Sequence, residues 1–211
     1  MFFRAPEYAK TNQGMVDYAK GYLDAYEEAI GSPDFTADYK GETVHYTDLF
    51  DMDSLLQYWL LCEYVNNWDS MKNSSYLYKD LQGKAKMGPA WDYDWAWGNI
   101  NMYSNSTPFV YDQWHTILCG QNPSDGGFAE EDYQKEQWHR YLVKDPYFVT
   151  RAWEYYQKHR DTLMEDIMKN GGLIDALEEK YASSSEDNDA KWSGTYRLYR
   201  GKAFVNGVVQ N

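Results

Sequence analysis

Residues 55–62, Leu-Leu-Gln-Tyr-Trp-Leu-Leu-Cys, set apolar side chains nearly all round a helix. A helix with so little polar face has to be central and buried. Asp51 or Asp53 is its N-cap, and Asn66-Asn67-Trp68-Asp69 breaks the pattern at its end. The remaining chain must cover this helix, and 211 residues are enough for a sizeable core.

An amphipathic helix is predicted from Gln13 to Ile30, with Val16, Ala19, Tyr22, Leu23, Tyr26 and Ile30 at helical spacing. Thr11 or Asn12 caps it and Gly31-Ser32-Pro33 ends it. Residues 34–50 are polar, hold no sustained period and read as irregular. Residues 75–80 alternate as a strand does, Leu81-Gln82-Gly83 is a turn, and Lys84 to Met87 is the return strand of a hairpin. Residues 100–128 are loop-like, rich in Asn, Ser, Pro and Gly, and a loop of that length is often functional. Helices are expected over 130–143, 146–169 and 173–182, with Pro146 in the first turn of the second and Asn170-Gly171-Gly172 at its end. Ser183 to Asp189 reads as a solvated tail or linker. The expected fold is α+β and mainly helical, with one domain over 1–182 and a polar segment over 183–211.

The hairpin leads the chain into Gly88-Pro89-Ala90-Trp91-Asp92-Tyr93-Asp94-Trp95-Ala96-Trp97-Gly98-Asn99. In extended backbone, residues two apart project to the same side, so Asp92 and Asp94 can face one cation. Carboxylates with water are the donors that Mg²⁺, Mn²⁺ and Ca²⁺ prefer. The same pair also fits a tight turn in which the Asp side chains accept backbone N–H groups. Trp91, Trp95 and Trp97 read as walls and core around the segment. A net charge of −13 excludes a nucleic-acid backbone as partner, because no basic field is present to displace counterions. The surplus of 21 Tyr and 9 Trp points instead to clefts with one apolar and one wet side. No apolar run approaches the ~18 residues of a transmembrane segment, and Met-Phe-Phe-Arg-Ala-Pro-Glu lacks the apolar core of a signal peptide. Cys62 and Cys119 have no metal spacing, and His45, His115, His139 and His159 have no ligand spacing.

The order of buried helix, Asp-bearing loop, hairpin and metal-type Asp resembles the lower lobe of a protein kinase. In that comparison Asp69 is the carboxylate at the attacking hydroxyl, Asp92 the metal ligand, and Asp94 a supporting or second-metal ligand. More specifically, Tyr58-Trp59-Leu60-Leu61 through Asn67-Trp68-Asp69, then Ser75-Tyr76-Leu77-Tyr78-Lys79-Asp80 and Gly88-Pro89-Ala90-Trp91-Asp92-Tyr93-Asp94, resemble the spore-coat protein H (CotH) kinase-like family. Phe3-Arg4-Ala5-Pro6-Glu7, Trp138-His139-Arg140-Tyr141-Leu142, Asp145-Pro146-Tyr147-Phe148 and Trp153 extend the likeness to roughly residues 3–180. The resemblance implies an atypical, secreted or cell-surface kinase fold that binds ATP with Mg²⁺ or Mn²⁺ and phosphorylates a Ser-containing protein substrate. It implies Asp69 as the catalytic carboxylate and Asp92 as the metal ligand. Asn73 and Trp91 are the candidate nucleotide-side residues.

Two departures qualify the likeness. A kinase catalytic loop sets a metal-binding Asn five residues after its Asp, whereas Ser74 holds that offset here and Asn73 falls one short. The family's upstream region, which supplies basic groups to the nucleotide, has no counterpart in these residues. If these 211 residues are the whole protein, the expectation is metal binding near Asp92 with weak or absent turnover. Lys72, Lys84 and Lys86 lie near the segment in sequence and read as solvated lysines around the hairpin. Two other functions fit the residues: a glycosyltransferase holding Mn²⁺ by its Asp-x-Asp pair, and a non-enzymatic aromatic surface that binds glycan or protein.

Overall fold

The computed structural model describes residues 6–65, 67, 74–93, 96, 138–196, 203–205 and 208–210. A 3₁₀ turn over Glu7–Lys10 leads into helix α1, Gln13–Gly31. Asn12 caps α1 by accepting the Met15 N–H at 3.2 Å. Tyr22, Ala25, Tyr26, Ala29 and Ile30 are its buried residues, spaced three and four apart as one helical stripe.

Residues 34–50 are regular, contrary to the expectation. Strands β1 (Thr36–Tyr39) and β2 (Glu42–His45) pair antiparallel, with Tyr39 opposite Glu42. Their two-residue turn is Lys40-Gly41, at φ 58° and 83°, the positive-φ pair that matches the twist of the flanking strands. Strands of four mostly polar residues hold too little alternation to be read, and Lys is not a residue that announces positive φ. A short helix α2, Tyr46–Leu49, follows directly. His45 caps it through Nδ1, while Asp48 accepts the His45 N–H at 3.0 Å.

Helix α3, Met52–Val65, is the expected central helix. Asp51 accepts the Ser54 N–H at 2.9 Å as its cap. Leu55, Leu56, Tyr58, Trp59, Cys62 and Val65 are buried, whereas Leu61 is 37% exposed, so the helix keeps one wet edge. Its first turn is stitched to the predicted hairpin. The Asp51 N–H donates to the Ala85 carbonyl at 2.8 Å, and the Ala85 N–H to the Leu49 carbonyl at 2.9 Å. The hairpin itself is β3 (Leu77–Tyr78) and β4 (Lys86–Met87), with Leu77 opposite Met87 and a turn over 81–83.

Within 138–196, helix α4 covers His139–Leu142, and residues 130–137 of the expected helix lie outside the described residues. Helix α5, Pro146–Asp161, begins with Pro at its first turn and is capped by Asp145, which accepts the Tyr147 N–H at 2.9 Å. Its hydrogen-bond ladder widens to π type over Thr162–Ile167 and closes at Met168, and Gly171 at φ 74° lies in the turn that follows. Helix α6 then spans Leu173–Tyr196. The expected helix end at 182 is thus corrected: Ser183 to Asp189 continue the helix. Beyond it, β5 (Ala203–Val205) and β6 (Val208–Gln210) pair antiparallel.

The core lies where α1, α3 and α5 meet. Tyr26 packs on Phe50 and Trp138 with ring centroids 5.0 and 4.8 Å apart, and Trp59 of α3 packs on Phe148 of α5 at 5.4 Å. Buried Tyr46 donates to the buried Asp145 carboxylate at 2.6 Å, tying α2 to the cap of α5. Among the described residues no helix is long and apolar enough to cross a membrane.

Candidate functional site

Strand β4 ends at Met87, and Gly88 begins the segment singled out by its acidic pair. Gly88 donates its N–H to the Tyr76 carbonyl. A Cβ at Gly88 would meet Tyr76 Cβ at 2.8 Å and its carbonyl oxygen at 3.0 Å, so only glycine allows this approach. The next residues therefore leave the hairpin beside the segment that entered it, and Trp91 stands edge-on to Tyr76 at 6.2 Å.

Asp92 is exposed, and Ser74 donates its Oγ–H to Asp92 Oδ2 at 3.3 Å. Both partners of this bond have left-handed backbones, Ser74 at φ 48° and Asp92 at φ 62°. Such conformations in residues other than glycine cost on the order of 1–3 kcal/mol each and persist where surrounding structure holds them. Phe35 and Lys40 share this conformation, Lys40 in the β1–β2 turn, but only Ser74 and Asp92 of the four are hydrogen-bonded to each other among the described residues, which makes them the candidate site. Each partner also adjoins a residue that reaches α3. Ser75 Oγ lies 2.9 Å from Tyr58 Oη, and Tyr93 Oη lies 3.4 Å from Cys62 Sγ.

Of the candidate catalytic, nucleotide-side and metal-binding residues, Asp92 and Trp91 are described. Asp69, Asn73, Asp94, Trp95 and Trp97 lie outside the described residues, as does the stretch 100–128. Trp91 is 58% exposed, a rim residue where the sequence suggested wall or core. Lys84 donates to the Thr47 carbonyl at 2.6 Å, and Lys86 lies 3.8 Å from Asp51 Oδ2, so both ammonium groups are engaged around the start of α3. The Cys62 thiol is fully buried. Among the described residues no three His, Cys, Asp or Glu side chains group as metal ligands.

The sequence alone does not connect Ser74, Tyr58, Cys62 or Tyr93 with the Asp92 carboxylate. Tyr58 and Cys62 read as apolar core, and nothing local marks their polar tips. Burial is the first cause that raises the Tyr58 and Tyr93 hydroxyls, and the neighbouring Cys62 is the second. Tyr58 is pushed up to about 12, so both hydroxyls keep their protons and remain available as donors.

No curated protein and no solved structure matches this chain. A family model does: residues 6–208 match the family described as CotH kinase protein. That span takes in the hairpin, the Gly88–Tyr93 segment and the helices on both sides of it, and the chain belongs to the CotH kinase family.

Proposed function

We propose that this chain is the lower-lobe part of an atypical kinase in which Asp92 holds Mg²⁺ or Mn²⁺ against the phosphates of ATP. Asp69 accepts or orients the hydroxyl of a serine in a secreted or surface protein, and Asp94 supports the cation. The observation that carries the reading is the exposed Asp92 carboxylate on a left-handed backbone, held by Ser74 where the hairpin releases the chain. Its donor chemistry fits the cation. Mg²⁺ keeps several waters and takes one or two carboxylates together with substrate phosphates. An exposed carboxylate with a hydroxyl alongside leaves room for both. A cation held by Asp92 would offset the negative charge that develops in phosphoryl transfer. The residues of the chain supply alignment, since phosphoryl transfer needs positioning more than covalent chemistry.

Isothermal titration with ATP, with and without Mg²⁺, tests the reading. Mg²⁺-dependent binding is expected in the wild type and is lost in Asp92→Ala. Asp69→Ala keeps the binding and loses transfer. ATP-dependent serine phosphorylation that survives Asp92→Ala would place the site elsewhere.

Exposed Trp91 favours one other function, a non-enzymatic glycan-binding face, because an exposed indole stacks on sugars. Glycan retention lost in Trp91→Ala, with no ATP binding by the wild type, would select that function.

A further inference from the structure

Among the described residues strand pairing ends at Met87, and no ladder reaches Asp92. After Gly88, the described bonds that fix this segment are few. They are Ser74 to Asp92, Tyr93 to Cys62, and the Ala96 N–H to the Tyr93 carbonyl at 3.1 Å. Ser74 in turn is followed by Ser75, which bonds Tyr58. Tyr58 and Cys62 are four residues apart on α3 and so share one helix face. The two chain segments that meet at Ser74–Asp92 are therefore each tied, one residue along, to buried positions on α3.

We infer that Tyr58, Cys62 and Tyr93 form a polar clamp that positions Asp92: α3 holds Ser75 and Tyr93, and those two hold the left-handed Ser74 and Asp92 against each other. The clamp rests on the reading of Asp92 as a cation ligand for its function, but its geometry stands apart from that reading. Tyr58 and Cys62 are buried and Tyr93 is half-buried, so these bonds are shielded from competing water. The tyrosines are positioning residues; neither is placed at the cation.

Tyr93→Phe and Tyr58→Phe keep the rings and remove one hydroxyl each. The first readout is amide hydrogen exchange of the untagged full chain without metal. Residues 74–78 and 88–93 are expected to exchange roughly ten-fold faster in either variant, while 36–45 stay unchanged. The second readout is Mn²⁺ titration, where each variant is expected to lose roughly ten-fold in affinity, the usual size of an effect transmitted through a ligand's supports. Cys62→Ser, which keeps a hydrogen-bonding atom, is expected to retain wild-type behaviour, and Cys62→Ala to follow Tyr93→Phe. A packing role alone would not separate Ser from Ala in this way. If the wild type binds no Mn²⁺, the reading of Asp92 as a ligand fails and exchange alone decides the clamp. Unchanged exchange in both segments, or Mn²⁺ affinity that Asp92→Ala abolishes and Tyr93→Phe leaves intact, would overturn the clamp.

Discussion

Tyr46→Phe tests whether the bond between Tyr46 and Asp145 joins the two halves of the core. The hydroxyl donates to Asp145 Oδ2 at 2.6 Å across 99 residues of sequence, and Asp145 is only 5% exposed. Burial first, and then the Asp145 carboxylate, raise the Tyr46 pKa well above the usual tyrosine range, so the group stays a protonated donor. A hydrogen bond to a charged group contributes about 1.5–3 kcal/mol, and removing the donor leaves a buried carboxylate oxygen short of a partner. The ring itself is kept, so the cavity term is small and a loss of about 2 kcal/mol is expected. For a chain of this size that lowers Tm by roughly 4–8 °C. Asp145→Ala should cost about 1 kcal/mol more, because it also removes the cap on the Tyr147 N–H. Urea unfolding of both single variants and the double variant, followed by circular dichroism, gives the coupling. A loss below about 0.5 kcal/mol in Tyr46→Phe, or strictly additive losses in the double variant, would refute the argument.

Two further outcomes follow from the same structure. Burial holds His139 down to about 3 from an ordinary 6.5, and neither ring nitrogen has a hydrogen-bond partner among the described residues. The unfolded chain therefore takes up a proton that the folded chain refuses, so this contribution to stability is complete above about 6.5 and is lost as pH falls toward 3. His139→Leu should flatten that acid slope, read as a smaller difference in urea midpoint between pH 7 and pH 4 than the wild type shows; an equal difference would count against it. Gly88→Ala should lower stability by about 1–3 kcal/mol and weaken Mn²⁺ binding without touching Asp92, because its Cβ forces the hairpin exit away from Tyr76. A variant with wild-type melting and wild-type Mn²⁺ affinity would show that the close approach is dispensable.

The main helices were legible because their signals are local. Asn12, Asp51 and Asp145 each stand one residue before a helix and cap it through a side-chain oxygen, as their types suggest. The apolar run of α3 and the hairpin after it were likewise readable, although β3 and β4 are shorter than the alternation implied. The continuation of helix α6 beyond residue 182 escaped for a physical reason. Its described side chains are exposed almost throughout, so Ser183 to Asp189 show no apolar face, and a polar composition is shared by a solvated helix and a solvated coil. The site divides the same way. Asp92 declares itself through its acidic neighbour, whereas Ser74 lies 18 residues before it and Cys62 lies 31 before Tyr93. Such contacts exist only once the hairpin has folded back on α3. The carboxylate that would meet the cation is thus written in one short stretch, while what aims it is the hydroxyl and thiol tips of residues that sequence reads as core. Changes on that face of α3 should therefore alter the site while leaving every exposed acidic residue in place.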